Sequence, residues 1–167
     1  LDRLYKNVPP LIAHHAFSDA IATPIVRNRW GDSGGVRGAA SIGMEPTYWW
    51  DALDDDALHW LNSHTQPGAA VAFSEISDGN VALLRDWGRL RTEVVDRHLG
   101  TFQWYVLQNR SGLLNAAERT LIHSETPAYV KYAGRHRSRV PADLNVPLIL
   151  VFSYDQYRRA ALATGLP

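Results

Sequence analysis

Five consecutive residues, Gly31, Asp32, Ser33, Gly34 and Gly35, spell the string that surrounds the nucleophile of chymotrypsin-like serine proteases. A serine in that role needs a histidine base, a buried aspartate and two backbone N–H groups aimed at the oxyanion. The setting here does not supply them. The string stands near the start of the chain, the only upstream histidines are the adjacent pair His14 and His15, and the downstream residues read as α/β. A glycine-rich turn is the better account. The overlapping stretch Gly34, Gly35, Val36, Arg37, Gly38, Ala39 matches half of a dinucleotide fingerprint. That fingerprint requires a preceding apolar strand, and Arg27-Asn28-Arg29-Trp30 is a poor one.

The remaining polar residues are scattered. His59 and His64 are five apart and miss the i, i+4 spacing that would set two imidazoles on one helix face for a metal, so surface or capping roles are expected. The run Asp54, Asp55, Asp56 is explained by a helix start, where carboxylates meet the positive end of the macrodipole. No catalytic residue, metal site or cofactor is assigned. Residues at strand ends are the candidate ligand groups, since open α/β sheets bind ligands there: Ser74, Glu75, Gln108, Asn109 and Arg110. Arg110 has the forked donors suited to a phosphate or carboxylate, or to capping a nearby loop. Trp49 and Trp50 are consecutive, and neighbours on a strand face opposite ways. They cannot both enter one core, so at least one is a candidate docking surface.

These residues must be positioned by alternating elements. Leu53, Ala57, Trp60 and Leu61 recur at helical spacing and predict a helix over 52–63, capped by Asp51 or Asp54. A strand over 69–73 follows the Pro67-Gly68 turn, then a helix over 81–90 with Val81, Leu84 and Trp87 on one face. Aromatic and β-branched residues predict a strand over 102–107. Asn115 and Glu118 have capping-box spacing at the head of a third helix. Strands over 127–132 and 146–152 flank a basic loop, Arg135 to Arg139, and the tail after Asp155 reads as a short helix. The expected fold is α/β: a Rossmann-like, largely parallel sheet of about four or five strands flanked by helices. Residues 1–33 read as an irregular N-terminal segment, 34–160 as the α/β domain and 161–167 as a tail.

Composition narrows the function classes. The chain has 167 residues, 46% hydrophobic and 20% charged, as expected of one globular domain. Lys+Arg and Asp+Glu are both 17, so overall charge gives no reason to expect nucleic acid as a partner. The absence of cysteine rules out disulfides and thiolate chemistry. No run approaches the roughly 20 apolar residues of a membrane span. A start at Leu1 without an initiator Met suggests a fragment of a longer chain.

A succession of short motifs carries a family resemblance. Gly34-Gly35-Val36-Arg37-Gly38-Ala39-Ala40 is followed by Gly43-Met44-Glu45-Pro46-Thr47-Tyr48-Trp49-Trp50-Asp51-Ala52-Leu53 and Leu58-His59-Trp60-Leu61-Asn62. Trp104-Tyr105-Val106-Leu107-Gln108-Asn109-Arg110, Pro127-Ala128-Tyr129-Val130 and Val146-Pro147-Leu148-Ile149-Leu150-Val151-Phe152-Ser153-Tyr154 complete it. Over residues 34–159 the order resembles the C-terminal soluble domain of bacterial glycosyltransferase family 39. Its members are relatives of protein O-mannosyltransferases and lipid A aminoarabinose transferases. The resemblance implies an accessory domain on the extracytoplasmic, periplasmic side of a bacterial inner membrane. Its partner would be the transmembrane body of the same parent protein, with a polyprenyl-phosphate-linked sugar donor or the acceptor nearby. The family's catalytic acid lies in an early loop that this chain lacks, so no catalytic residue carries over. At the start the chain departs from the family: His15-Ala16-Phe17-Ser18 stands where a His-Pro-aromatic stretch is usual. The alternative is a free-standing domain or enzyme of Rossmann-like fold that binds a nucleotide or sugar phosphate at the strand ends.

Overall fold

The computed structural model describes residues 52–132 and 146–165. Trp49, Trp50, the Gly31–Gly35 string, His14, His15 and the basic stretch 135–139 lie outside the described residues. The order is α1 (Asp55–His64), β1 (Ala70–Ser74), α2 (Asp78–Asp86), β2 (Glu93–Val94), β3 (Trp104–Gln108), α3 (Ala116–Ser124), β4 (Tyr129–Tyr132), β5 (Pro147–Ser153) and α4 (Tyr154–Ala163).

The helices begin where their capping chemistry dictates. Asp54 caps α1 by accepting from the Ala57 N–H at 3.1 Å, with Asp55 and Asp56 in the first turn. Asn115 and Glu118 form the expected capping box on α3, and Ser153 and Gln156 form a second on α4. Helix α2 starts and ends earlier than its apolar pattern predicts. Gly88 adopts φ 67°, the left-handed conformation that closes helices, so Trp87 becomes the C-cap and does not continue the apolar face. Val81 and Leu84 are buried as expected, whereas Trp87 is 65% exposed.

The five strands form one mixed sheet in the order β2-β1-β3-β5-β4. β1 pairs parallel with β2 and with β3, but β5 runs antiparallel to β3. This corrects the largely parallel expectation. A parallel neighbour needs a crossover, usually a helix. The sequence between β4 and β5 carries no helical pattern, and β5 takes its place beside β3 in the opposite direction.

The registers Ala72↔Tyr105, Ser74↔Leu107, Tyr105↔Phe152 and Leu107↔Leu150 place these residues on one sheet face. Helices α3 and α4 cover that face, adding Leu121 and Ala160 to a continuous apolar cluster that Leu114, just before α3, also joins. Val71, Val106, Ile149 and Val151 are buried on the opposite face. Trp104 lies on that second face and meets Trp60 of α1 edge-on at 5.2 Å between ring centroids. Trp60 also stacks on Tyr129 at 5.2 Å and on His64 at 4.4 Å, so its flat sides serve packing.

Candidate functional site

The polar centre of the described residues is a four-residue cluster at the C-terminal end of β1. Ser74 ends that strand, Tyr105 comes from β3, Glu118 from the first turn of α3, and Arg97 from the segment between β2 and β3. Glu118 is fully buried and Ser74 is 2% exposed. Glu118 Oε1 accepts from the Tyr105 hydroxyl at 2.6 Å, from Arg97 Nη1 at 2.8 Å and from the Ser74 hydroxyl, whereas Oε2 accepts from the Asn115 N–H at 2.8 Å. One carboxylate therefore closes a helix cap and anchors a side-chain network. Arg97 Nη1 also reaches Ser74 Oγ and the Tyr105 hydroxyl, and Nε points to His98 Nε2 at 3.1 Å.

Electrostatics follow from that burial. A buried carboxylate is tolerated when paired and hydrogen-bonded, and Arg97 supplies the countercharge. Burial by itself would lower the Arg97 pKa; the charges of Tyr105 and Glu118 outweigh it and hold the guanidinium above its usual value. The Tyr105 hydroxyl is pushed far up by burial first, then by the Glu118 charge and the hydrogen bond to it. At neutral pH the Tyr105 phenol keeps its proton and the Arg97 guanidinium its charge, both held against Glu118. The Ser74 hydroxyl donates its proton to Glu118 and accepts from Arg97, so it is held inside the cluster. That is the arrangement of a positioning network, not of an activated nucleophile, which needs an approachable oxygen.

Beside the cluster opens a cavity of about 470 Å³. Phe73, Ile76, Val81 and Val94 form apolar walls, and Glu75, Asp78, Asp96, Arg97 and His98 supply polar groups. Glu75 stands at φ 60°, a left-handed backbone conformation that a glutamate adopts at some cost. Among the described residues no group of three or more His, Asp or Glu side chains is arranged to hold a metal ion.

Of the strand-end candidates, Ser74 and Glu75 reach this cavity. Gln108 is fully buried, and its Oε1 accepts from the Ala52 N–H at 2.7 Å, tying the chain before α1 to β3. Asn109 holds the start of β5 through Nδ2 to the Pro147 carbonyl at 3.0 Å and through its N–H to the Leu148 carbonyl at 2.9 Å. Arg110 begins the turn into α3, its carbonyl accepting from the N–H groups of Leu113 and Leu114. Of these three, Asn109 secures the β3–β5 pairing.

Arg97, Asp96 and the buried role of Glu118 were not foreseen. Glu118 did carry a signal: it sits next to Ala117 and three residues before Leu121 on the buried stripe of α3, where a carboxylate demands a cation. Arg97 lies 21 positions away in a segment without periodicity, and nothing in the sequence alone pairs the two. Comparison of the chain with protein-family models, curated proteins and solved structures finds no match.

Proposed function

We propose that this chain is a non-catalytic accessory domain of a membrane glycosyltransferase that uses a polyprenyl-phosphate-linked sugar, placed on the extracytoplasmic side of the membrane. The observation that carries this reading is the ordered motif series resembling glycosyltransferase family 39. The described members of that series are framework: Leu58 and Leu61 lie in the buried stripe of α1, Trp104 to Gln108 are the central strand β3, and Pro147 to Ser153 are its neighbour β5. Residues shared for packing and pairing are what a common domain architecture requires. The parallel β2-β1-β3 half, with helices on both faces, is read as Rossmann-like in that sense.

The polar cluster is compatible with a domain that performs no chemistry by itself, because its groups are engaged with one another. A nucleotide or sugar-phosphate site is the weaker reading. An anion entering the cavity would meet Asp78 and Asp96, while the Arg97 charge is already matched by Glu118.

The coding region upstream of the Leu1 codon tests the proposal. Several apolar segments of roughly 20 residues, in frame with this chain, are expected there. A coding region without them overturns the reading.

A further inference from the structure

We infer that the C-terminal end of α2 docks on a phospholipid bilayer, with Leu83 and Trp87 set into its interface and a zwitterionic headgroup held between Arg91 and Asp86. Trp87 is 65% exposed and Leu83 45%. Exposed apolar residues scattered singly need no explanation, but these two stand four apart at the end of one helix and are neighbours on its surface. The backbone that presents Trp87 is fixed. Its N–H donates to the Leu83 carbonyl at 3.0 Å, and the N–H groups of Gly88 and Arg89 close the turn on the Arg85 and Leu84 carbonyls at 2.8 and 2.9 Å. An indole joins an apolar body to one N–H donor, which is why tryptophan favours the boundary between hydrocarbon and headgroups.

Beside this pair opens a recess of about 510 Å³. Its lining includes Asp86 and Gly88, the chain neighbours of Trp87, together with Arg85 and Arg91. Arg85 is matched by Glu93 at 3.1 Å. Arg91 and Asp86 are exposed groups of opposite sign that form no ion pair among the described residues. A guanidinium fork suits a lipid phosphate, and a carboxylate suits the ammonium a few bonds away in the same headgroup. A recess of balanced charge gains no field advantage from an anionic surface, so a zwitterionic lipid is the occupant that uses both groups.

The apolar pair is also of a size for a bilayer. Even fully covered, an indole buries about 150–250 Å². One indole and one leucine fall far short of the roughly 800 Å² per partner of a stable protein interface. A bilayer surface asks only that a few apolar side chains enter the headgroup boundary beside a polar contact. This inference goes beyond the glycosyltransferase reading and does not rest on it, since a peripheral protein of any activity could carry the same surface.

Cosedimentation of the 167-residue chain with sucrose-loaded vesicles tests the inference. One set holds equal parts of phosphatidylcholine and phosphatidylethanolamine; in the other, phosphatidylglycerol replaces the phosphatidylethanolamine. Saturable binding to the zwitterionic vesicles at millimolar lipid is expected. The double substitution Leu83→Ala and Trp87→Ala, on exposed side chains whose loss leaves the fold intact, should weaken it about tenfold. Asp86→Asn should move the preference about fivefold toward the phosphatidylglycerol vesicles. Leu113→Ala, at an exposed position away from α2, should change neither. Four results each overturn the inference: no sedimentation with the zwitterionic vesicles, equal binding by the Leu83 and Trp87 double variant, a preference unmoved by Asp86→Asn, or a lipid-free dimer in gel filtration that Trp87→Ala abolishes, which would assign the face to a second copy.

Discussion

Tyr105 and Glu118 meet at 2.6 Å inside the protein, joining the central strand to the first turn of α3 by a hydrogen bond between a phenol and a carboxylate. The same carboxylate receives Arg97, so three separate elements converge on one oxygen atom. The arrangement makes the first turn of α3 both a structural cap and the electrostatic centre of the domain.

Removing one charge of that centre should cost far more than removing both. Glu118→Gln leaves Arg97 partly buried without its countercharge and is expected to destabilise the fold by about 3 kcal/mol. The double substitution Glu118→Gln with Arg97→Met removes the stranded charge and should recover a large part of that loss. Urea unfolding of the two singles and the double, read as a thermodynamic cycle, measures the coupling. Strict additivity would show that the pair is not coupled as the geometry requires.

The phenols predict alkaline lability. Tyr105, Tyr129 and Tyr157 all sit above the ordinary value of 10.0, in each case with burial as the largest cause. An acid whose folded pKa lies above its unfolded one holds its proton more tightly when folded. Its contribution to stability is complete below about pH 10 and is lost as pH rises beyond it. Lys131 adds the same sign: burial would lower its pKa, but its bonds to Asp54 and Asp56 raise it. Tyrosinate absorbance should therefore rise in step with loss of secondary structure above pH 10 for the buried phenols. Full titration of every tyrosine in the folded protein would contradict this.

Glu75 offers a backbone test. At φ 60° glycine is at ease, an unbranched side chain is strained, and a β-branched one is strained most. Glu75→Gly removes the backbone strain at this position. Glu75→Val should lower stability by about 1–3 kcal/mol relative to the glycine variant. Equal melting temperatures for the two would mean that the loop adopts an ordinary conformation in solution.

The elements of this fold were largely legible because they are announced locally. Asp54, Asn115 and the apolar runs of β3 and β5 each act within a few residues, and the helices and strands appear where those signals stand. Strand direction was less legible, since apolar runs such as 146–152 mark a strand without marking which way it runs, and β5 pairs antiparallel with β3. Trp87 misled because its spacing from Val81 and Leu84 is helical, while the neighbouring Gly88 ends the helix before the spacing matters. The site was hardest to foresee. Ser74 and Glu75 were visible as strand-end residues, but the Glu118–Arg97 pairing depends on a tertiary approach of two segments that share no periodic pattern.

The two residues of β2 have a last consequence. A long exposed border strand would offer a row of free backbone groups to other chains and invite sheet-to-sheet fibre growth. Here pairing along β1 extends only from Glu93 to Val94 before the chain leaves toward Asp96 and Arg97. The outermost strand on that side is too short and too closely flanked by charge to template another copy, which protects the protein against aggregation through that border.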